Sequence, residues 1–472
     1  MTGQLKKLIR PALIALVFAA VSVPMSVDVA LVHADASEAV VANSGLAGQL
    51  TLGSNFTCAV VTSKVYCWGD NHSGQVGQAS GALSKVPVEV PGTAGAIEVA
   101  AGSSHACALL AGGTVKCWGE NSSLQLGRAT TNTYSSDATA VAGIATAIGV
   151  AAGRNFSCAL LSGGSAKCWG SNAGGQLGTG TFADTTTATP QSVVSLSDGE
   201  RITANGERAC VLTTVGGVTC WGRASETAMG AGTVGTGAVE FATPVQVVRN
   251  SDQTPLTGLK SISLASSAFV SSGSACGVGG DGTAWCWGDD MYSQIGSGQQ
   301  SAVAGAIQFK APNQTQPLAD IQQISAGDNY TCMVRTGGVP WCIGNNMGGQ
   351  LGDGTDLYNE TAPVLQQVAE VKKTAVIVAS SSHTCSIDTD LVAYCWGTGT
   401  GGQIGQGKTE NSYLPSVVEG VGTQTITFGE LTDKSLGSGD VTVAATASSG
   451  QAVTFASVTS SVCSVSGVTV KL

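Results

Sequence analysis

Fourteen of the fifteen cysteines in this 472-residue chain form seven close pairs, and paired cysteines can form disulfides or hold a metal ion. Six pairs are ten positions apart and the first is nine apart. Each second cysteine precedes Trp-Gly, except that Cys342 precedes Ile343-Gly344, and Cys463 stands apart from this pattern. The pairs are Cys58 with Cys67, Cys107 with Cys117, Cys158 with Cys168, Cys210 with Cys220, Cys276 with Cys286, Cys332 with Cys342 and Cys385 with Cys395.

The spacing favours disulfides across β-hairpins over zinc sites. Around the second cysteine pair, two apolar runs flank Gly112-Gly113, which is a signal for a tight turn between antiparallel strands. Cys107 and Cys117 then face each other across a turn centred on Gly112, at a distance that a disulfide tolerates. The first pair implies a turn that is one residue shorter. Structural zinc sites usually contain cysteines two to four residues apart, and the chain has no Cys-x-x-Cys. We therefore predict seven disulfides and an unpaired Cys463.

The histidines and glutamines of the repeat are predicted to have structural roles. His105 and His383 lie two residues before a first cysteine, where the other copies have Phe, Arg, Ser or Tyr. A catalytic histidine would not have such equivalents, so we predict packing or a turn hydrogen bond. A glutamine before an aliphatic residue and glycine recurs six times. It is predicted to form hydrogen bonds with the loop backbone of its own copy of the repeat. Its copies are Gln75, Gln125, Gln176, Gln294, Gln350 and Gln403.

Other motifs give no catalytic or cofactor-binding candidate. Asp70-Asn71 and Asp289-Asp290 could suggest calcium, but calcium needs oxygen ligands from several positions and turn chemistry is the simpler interpretation. The chain has no His-Glu-x-x-His, no phosphate-binding Gly-x-x-x-x-Gly-Lys-Ser/Thr and no Gly-x-Ser-x-Gly in a strand–turn–helix setting. We predict a protein that is not an enzyme and has no cofactor and no metal.

Short strands in a sevenfold repeat must position these residues. Each copy has three clear strands and usually a weaker fourth, and the copies follow one another at intervals of mostly 50–56 residues, with one interval of 66. Glycine is abundant, with 65 residues, and only 11% of residues are charged, which fits tight turns between strands. Four-stranded sheets repeated radially make a β-propeller. We predict an all-β fold with a seven-bladed β-propeller over residues 46–422, in which the tryptophan after each second cysteine packs between adjacent blades.

The repeat resembles that of a known family. Its pattern is Ala-Gly-x-x-His-x-Cys-Ala-Leu, then Gly-Gly-x-Val-x-Cys-Trp-Gly, then Asn-x-x-x-Gln-Leu-Gly, which is similar to the repeat of the regulator of chromosome condensation. The resemblance covers about residues 46–422 and implies a seven-bladed propeller. The fourth repeat departs most, with Asn205-Gly206-Glu207-Arg208 before its first cysteine and with Ala224 and Ala228 where other copies have Asn and Gln.

The N-terminus predicts export. Lys6, Lys7 and Arg10 precede an apolar stretch, and Val32-His33-Ala34 offers small residues for cleavage, so residues 1–34 are predicted to be a signal peptide and residues 35–45 a short linker. Pro24 and Asp28 interrupt the stretch and favour cleavage over a retained anchor. The formal charge of −10 argues against nucleic acid and anionic lipid as partners. Together with the cysteine pairs, this predicts a secreted or cell-surface protein.

Residues 423–472 form a different kind of sequence. They contain alternating, threonine-rich strands such as Thr423–Phe428 and Val462–Val470, and they resemble the first part of a bacterial immunoglobulin-like module. We therefore expect a partial β-sandwich-like segment. In that module a second cysteine follows shortly after the position of Leu472, so we expect the chain to be a fragment of a longer protein. The alternative is a genuine short tail with a free or intermolecular thiol.

Three functions are compatible with the sequence. A secreted or surface-displayed binding or adhesion scaffold, monomeric and with a protein or a surface glycan as partner, is favoured because loops vary on rigid blades. The segments Gly232–Leu264 and Gly298–Gln322 are predicted to be irregular, are the longest connections and are expected to carry specificity on one rim. Guanine-nucleotide exchange on a small GTPase is implied by the family resemblance, but an exported protein does not meet that partner. A secreted hydrolase is the third possibility.

Overall fold

The computed structural model describes residues 50–182, 186–232, 238–265, 273–312, 314–355, 364–371 and 373–420, and short strands after residue 425. Between residues 50 and 420 it contains seven antiparallel sheets of four strands each. Each sheet is one blade, and the first strands of successive blades contact one another around the axis of the ring. The predicted all-β, seven-bladed propeller is confirmed.

Within a blade, the strands follow chain order from the axis outward. In blades 1 to 4 they are β1 (Leu50–Leu52), β2 (Phe56–Val61), β3 (Lys64–Gly69) and β4 (Ser84–Glu89); β5 (Ala96–Ala101), β6 (His105–Leu110), β7 (Val115–Glu120) and β8 (Tyr134–Ala140); β9 (Ala147–Ala152), β10 (Phe156–Leu161), β11 (Ala166–Gly170) and β12 (Thr187–Ser192); and β13 (Gly199–Asn205), β14 (Glu207–Thr213), β15 (Val218–Ser225) and β16 (Ala238–Gln246). In blades 5 to 7 they are β17 (Leu259–Leu264), β18 (Ser274–Gly279), β19 (Ala284–Gly288) and β20 (Val303–Gln308); β21 (Ile321–Ala326), β22 (Tyr330–Arg335), β23 (Val339–Gly344) and β24 (Gln366–Gln367); and β25 (Thr374–Ala379), β26 (His383–Asp388), β27 (Ala393–Gly397) and β28 (Ser412–Val417).

This connectivity gives the ring two different rims. The connections between the second and third strands, and the linkers from one blade to the next, lie on one side, which we call the hairpin rim. The connections between first and second strands and between third and fourth strands lie on the opposite side, which we call the loop rim. Antiparallel pairing throughout each blade fixes this division, because every strand reverses direction.

The central hairpin has the expected register in every blade. In blade 2, Cys107 is opposite Cys117, with Gly112 at the centre of the turn. In blade 1 the ladder continues to Val61 opposite Lys64, and the turn consists of Thr62 and Ser63, both with positive φ. Two residues with positive φ are the requirement of a type I′ hairpin turn. The prediction that the first turn is one residue shorter is confirmed.

The core lies between the blades. One apolar cluster, for example, joins Phe56 and Val65 of blade 1 to Val99, Ala106 and Trp118 of blade 2. Successive side chains on a strand point to opposite faces of the sheet, so each blade buries one set of side chains against the preceding blade and another set against the following blade. Burying apolar surface contributes about 25 cal/mol per Å², so the interfaces between blades supply much of the stability of the ring.

Blade 7 packs directly against blade 1 and closes the ring. Leu50 and Trp68 of blade 1 share an apolar cluster with Val376 and Ile404 of blade 7. The chain does not exchange a strand across this closure, since each of the seven sheets consists of four consecutive strands. The ring is therefore closed by side-chain packing and hydrogen bonds, and not by a shared sheet.

The fourth repeat, whose sequence departs most, contains a single helical turn. α1 (Glu226–Met229) follows β15 directly and takes the place of the usual Asn and Gln loop. The Ser225 side chain accepts a hydrogen bond from the Ala228 backbone N–H, which is a standard N-cap, and Gly230 ends the turn with a φ of 72°.

The chain divides after Gly422, and the described strands that follow form two small sheets. β29 (Ile426–Phe428) pairs with β31 (Ala445–Ala447), and β33 (Thr469–Lys471) lies between β30 (Val441–Thr442) and β32 (Ser464–Ser466). The predicted signal peptide, linker and Cys463 lie outside the described residues. The immunoglobulin-like assignment stays a prediction.

Candidate functional site

The seven predicted cysteine pairs lie at the centre of the blades, each joining the second strand of a blade to the third. In each pair the two Cα atoms are 4.0–4.1 Å apart and the two Sγ atoms 2.02–2.14 Å apart. In chain order the partners are Cys58 and Cys67, Cys107 and Cys117, Cys158 and Cys168, Cys210 and Cys220, Cys276 and Cys286, Cys332 and Cys342, and Cys385 and Cys395.

These cysteines belong to the frame and not to a binding surface. All fourteen side chains are fully buried. They are remote from solvent and from both rims, so they stabilise the blades and do not take part in recognition. The redox state of the pairs in solution stays a prediction, as does the unpaired state of Cys463.

The recurring glutamine forms hydrogen bonds within its own loop through its side chain and with the next blade through its backbone carbonyl. The Gln125 side-chain Oε1 accepts a hydrogen bond from the Ser123 backbone N–H at 2.8 Å, as predicted for binding of loop backbone. The backbone carbonyl of Gln125 also accepts a hydrogen bond from the Trp169 Nε1 of blade 3 at 2.9 Å. The predicted position of these tryptophans between blades is confirmed, but their bond to the glutamine carbonyl was not foreseen. The same link between blades recurs for Trp68, Trp118, Trp221 and Trp396.

His105 and His383 also form bonds between blades and are fully buried. His105 Nε2 is 2.9 Å from Ser157 Oγ of blade 3, and His383 Nε2 is 3.0 Å from Thr57 Oγ1 of blade 1. Burial lowers the pKa of His105 to about 4 and that of His383 to about 3, so both are neutral near pH 7. His383 Nδ1 is also 2.9 Å from Ser380 Oγ in the turn before its own strand. The predicted structural role is confirmed, with a turn hydrogen bond at His383 and a contact to the neighbouring blade at both histidines.

In five of the seven blades, the side chain at the histidine position bonds to or packs with the residue before the first cysteine of the next blade. Where the position holds His or Tyr, the next blade supplies a hydroxyl; where it holds Phe, the next blade has alanine. Matching polar or apolar character along successive repeats was the signal in the sequence that could have revealed these contacts. The five pairs are Phe56 with Ala106, His105 with Ser157, Phe156 with Ala209, Tyr330 with Thr384 and His383 with Thr57. In the other two blades, Arg208 donates to backbone carbonyls, and the hydroxyls of Ser274 and Thr331 are buried without a hydrogen-bond partner.

Arg208 replaces the aromatic or histidine side chain in the fourth blade and is fully buried. Its guanidinium donates hydrogen bonds to the backbone carbonyls of Ala228, Ala265 and Ser274. Burial lowers its pKa to about 10, so it keeps its charge at neutral pH. The planar fork of donors thus joins α1 to blade 5, which compensates for the missing glutamine of this repeat.

The acidic pairs considered for calcium serve the loop backbone. Asn71 Oδ1 accepts from the Val76 N–H at 3.2 Å, and Asp290 Oδ1 accepts from the Ile295 N–H at 2.8 Å. Asp290 Oδ2 also accepts from the Ser297 N–H. These contacts support the turn interpretation. Among the described residues, no three His, Cys, Asp or Glu side chains are grouped as metal ligands would be.

Two linkers on the hairpin rim depart from the regular frame. Residues 247–258, between blades 4 and 5, and residues 309–320, between blades 5 and 6, are twelve residues long. The other linkers, 90–95, 141–146, 193–198 and 368–373, have six residues. The longest connections predicted from sequence, Gly232–Leu264 and Gly298–Gln322, contain these linkers but are not irregular throughout. The prediction is corrected here, because β16, β17 and β20 occupy a large part of both segments.

The linker 247–258 is ordered by its own contacts. The Arg249 N–H donates to the Thr254 carbonyl at 2.8 Å, which closes a tight loop, and the Asn250 N–H donates to the Ala306 carbonyl of β20 at 2.9 Å. Val247 and Leu256 are fully buried at its two ends. The loop is therefore fixed on the outer strand of blade 5, with Arg249 extending along the surface.

The linker 309–320 is fixed in a similar way. Phe309 and Leu318 are buried, and the Leu318 N–H donates to the Phe309 carbonyl at 3.1 Å. At its end, Asp320 forms an ion pair with Arg335 of blade 6, with an Nη2-to-Oδ2 distance of 2.8 Å. Both long linkers therefore present ordered polar groups on one sector of the hairpin rim. We take this sector, from blade 4 to blade 6, as the candidate binding site.

The repeats match models of a known family. The Regulator of chromosome condensation (RCC1) repeat is matched by one model at residues 49–75, 96–125 and 147–176 and by a second at residues 63–109 and 281–334. This chain carries RCC1 repeats. Their arrangement as seven blades agrees with the fold of solved RCC1-like propellers. Human WBSCR16 has a TM-score of 0.63 at 18% identity, covering 75% of this chain and 94% of that one.

Other RCC1-type proteins are similar over parts of their length. Prp20p from Saccharomyces cerevisiae, a protein described with its binding to Gsp1p and histones, has a TM-score of 0.63 at 21% identity, covering 77% of this chain and 87% of that one. Ultraviolet-B receptor UVR8 of Arabidopsis thaliana is 26% identical over 57% of each chain. E3 ubiquitin-protein ligase HERC2 of Homo sapiens is 26% identical over 75% of this chain but only 7% of its own length. The chain therefore spans a small part of that ligase and just over half of the receptor.

Proposed function

We propose that this chain is an extracellular, non-catalytic binding scaffold that recognises its partner through the hairpin rim at blades 4 to 6. The observation that carries the proposal is the pair of twelve-residue linkers, held by buried anchors, on a frame whose other linkers have six residues. Variable segments on a rigid repeated frame are typical of recognition surfaces. The partner on this proposal is a protein or a surface glycan, and the propeller acts as a monomer.

The location outside the cell is part of the same proposal. Seven cysteine pairs at bonding distance are frequent in oxidising compartments and rare in the cytosol. A signal peptide over residues 1–34 and a linker over residues 35–45 would precede the propeller at 46–422, with a partial immunoglobulin-like module at 423–472. Within the described residues, no helix is long and apolar enough to cross a membrane.

The absence of catalysis is proposed from the chemistry of the repeat. The two histidines of the repeat are buried between blades and bonded to hydroxyls, where they cannot reach a substrate. Guanine-nucleotide exchange has some support from the likeness to Prp20p, but 21% identity supports the fold alone. An exported, disulfide-bonded chain would not meet a cytosolic GTPase.

An exchange of linkers tests the proposal with little risk to the fold. The six residues 90–95, Val-Pro-Gly-Thr-Ala-Gly, would replace residues 247–258 in the full chain. Both linkers begin with a fully buried valine that donates its N–H to the third strand and end with a glycine of φ 85° or 83°. The matched control places the same six residues at 193–198, where the native linker already has six.

The measurement is retention of partners from culture medium and cell envelope, followed by binding of each purified partner. We expect the 247–258 exchange to abolish binding and the 193–198 exchange to leave it unchanged. Equal binding by both variants would place recognition elsewhere. Release of labelled GDP from a small GTPase, accelerated by the full chain, would instead favour exchange activity.

A further inference from the structure

Four aromatic side chains occupy one register on consecutive blades. The residue before each second cysteine is Trp285 in blade 5, Trp341 in blade 6, Tyr394 in blade 7 and Tyr66 in blade 1, and we call these four residues the aromatic arc. All four are partly exposed. The aromatic residues therefore cover one continuous side of the ring. The same register in blades 2, 3 and 4 holds Lys116, Lys167 and Thr219.

The geometry of the strands directs the arc into the grooves between blades. Residues two apart on a strand share a face of the sheet, so Tyr66 points to the same side as Trp68. Trp68 Nε1 donates to the Gln403 carbonyl of the preceding blade, so Tyr66 faces that blade as well. The register lies close to the start of the third strand, next to the hairpin rim. Each arc residue therefore lies where the groove opens at that rim.

Each tryptophan of the arc is accompanied by an arginine and a glutamine. The Arg249 guanidinium lies over the Trp285 ring, and the Arg335 guanidinium over the Trp341 ring, each 5.5 Å from the ring centroid. Gln308 is the neighbour of Trp285 on the outer strand of blade 5. Such stacking is attractive and holds each planar guanidinium over part of the indole, with its donors beside the exposed remainder of the ring.

Blade 6 repeats this arrangement and shows how it is oriented. Gln367 is the outer-strand neighbour of Trp341. Asp320 accepts hydrogen bonds from Arg335 Nε at 3.1 and 2.9 Å, which fixes the arginine. Adjacent blades thus present the same group of indole, guanidinium and amide at one blade interval. Arg249 and Asp320 come from the two long linkers, so these linkers complete the arc.

The tyrosines of the arc are oriented by carboxylates. The Tyr66 hydroxyl is 3.4 Å from Glu89 Oε2, and the Tyr394 hydroxyl is 3.3 Å from Asp388 Oδ2. Lys64 forms an ion pair with Glu89 at 2.9 Å. Beside Tyr66 and Trp341 the charged groups form ion pairs, Lys64 with Glu89 and Arg335 with Asp320, so the charges at these two rings are neutralised.

The fold itself does not require aromatic residues at this register. Lysine and threonine fill it in three blades of the same geometry, and only 5% of the chain is aromatic. The six tryptophans that follow the second cysteines are fully buried, whereas Trp285 and Trp341 are partly exposed. Trp285, Trp341 and Tyr394 each pack one part of the ring against a core between blades and leave another part exposed, whereas the lysines and threonine of the other blades show that the fold tolerates polar residues at this register.

We propose that the aromatic arc binds a neutral polysaccharide, an inference that rests on the proposed function as an extracellular binding scaffold. A sugar ring has an apolar C–H face and a rim of hydroxyls, so it needs a flat apolar surface beside amide, guanidinium and carboxylate groups. The repetition from blade to blade fits a polymer of repeating units. The ion pairs of Lys64 with Glu89 and of Arg335 with Asp320 leave no excess charge at two of the four rings, which fits a ligand without net charge.

The test uses the full chain and natural replacements from its own repeat. In the arc variant, Trp285→Thr, Trp341→Thr and Tyr394→Thr introduce the residue that blade 4 has at this register. In the control variant, Lys116→Thr and Lys167→Thr make the same change on the opposite side of the ring. The probes are dextran, laminarin and galactomannan, with alginate as the anionic polysaccharide. Mobility in polysaccharide-containing native gels and quenching of tryptophan fluorescence report binding.

We expect at least one neutral polysaccharide to retard the wild-type chain and quench its fluorescence, with the arc variant about tenfold weaker or more and the control unchanged. The six buried tryptophans report whether each variant is folded, and Trp341→Thr alone gives a milder test. Binding of alginate alone, equal binding by the arc variant, or no polysaccharide binding would each overturn the proposal. A protein partner lost by the linker exchange, without any polysaccharide binding, would overturn this inference while supporting the proposed function.

Discussion

Replacing Ser157 by alanine tests whether the polar pair between blades 2 and 3 stabilises the ring. The Ser157 hydroxyl donates to the Gln125 carbonyl at 2.9 Å and is 2.9 Å from His105 Nε2, so it accepts from the imidazole. Alanine would leave His105 Nε2 buried without a partner. An unsatisfied buried polar group costs about 1–3 kcal/mol, so we expect Ser157→Ala to lower the free energy of unfolding by that amount.

A second substitution, at His105, distinguishes the loss of a hydrogen-bond partner from the loss of side-chain volume at position 157. His105→Phe with Ser157→Ala recreates the pairing of phenylalanine with alanine that the chain already has at Phe56 with Ala106. Replacing both polar partners by apolar groups that fit can be nearly neutral. We therefore expect the double variant to be more stable than Ser157→Ala alone, with a coupling energy of about 1–2 kcal/mol.

The assay is urea unfolding at pH 7.5 without reductant, so that the cysteine pairs stay as they are. Fluorescence of the buried tryptophans and far-UV circular dichroism should give the same midpoint, which checks that unfolding is cooperative. Additive losses in the double variant would refute the reasoning, because the hydroxyl would then contribute independently of His105.

Four further outcomes are expected. Burial lowers the pKa of His105 to about 4 and that of His383 to about 3, so the unfolded chain binds more protons than the folded chain below pH 6.5. The free energy of unfolding should therefore fall from pH 6.5 towards pH 4, by at most about 1.4 kcal/mol per pH unit for each histidine. Urea midpoints measured as a function of pH would show this decrease. The double variant His105→Phe with Ser157→Ala should show a shallower pH slope, and an unchanged slope would assign the acid sensitivity to other groups. Non-reducing mass mapping should give seven local linkages and a free thiol at Cys463, each linkage contributing about 2–3 kcal/mol in the chain-entropy model, and free thiols throughout would contradict the proposed location. Arg208→Lys should destabilise the chain by about 3 kcal/mol or more, because an ammonium cannot reach three carbonyls as a planar fork does, and a neutral effect in urea unfolding would contradict the role given to the guanidinium.

The fold could be predicted because its signal repeats. The cysteine spacing determined the hairpin register, down to the shorter turn at Thr62 and Ser63, since facing residues in an antiparallel pair have numbers with a constant sum. The alternation along each strand likewise predicted that Trp169 and its equivalents pack between blades. Local rules of this kind act within about twenty residues, which a single copy of the repeat contains.

Contacts between blades were harder to foresee. Ser157 and His105 are separated by 52 positions, and only a comparison of successive copies reveals that a hydroxyl accompanies a histidine. The sequence also showed an interval of 66 residues between the fourth and fifth copies without showing its origin. The structure assigns six of the additional residues to the linker 247–258, which covers the outer strand of blade 5. The positions of such linkers and side chains depend on contacts between residues that are distant in sequence. A periodic sequence pattern does not predict these contacts.

The five side-chain pairs between successive blades act together as a constraint on assembly. A ring that closed after omitting blade 1 would place His383 against Ala106, and the buried imidazole would lose its hydroxyl at a cost of about 1–3 kcal/mol. Because no strand is shared across the closure, pairing of strands does not by itself prevent such an error or the joining of two chains end to end. The complementary pair His383 and Thr57 therefore favours closure of the chain on itself with all seven blades, so the number of blades is encoded in side chains as well as in the count of repeats.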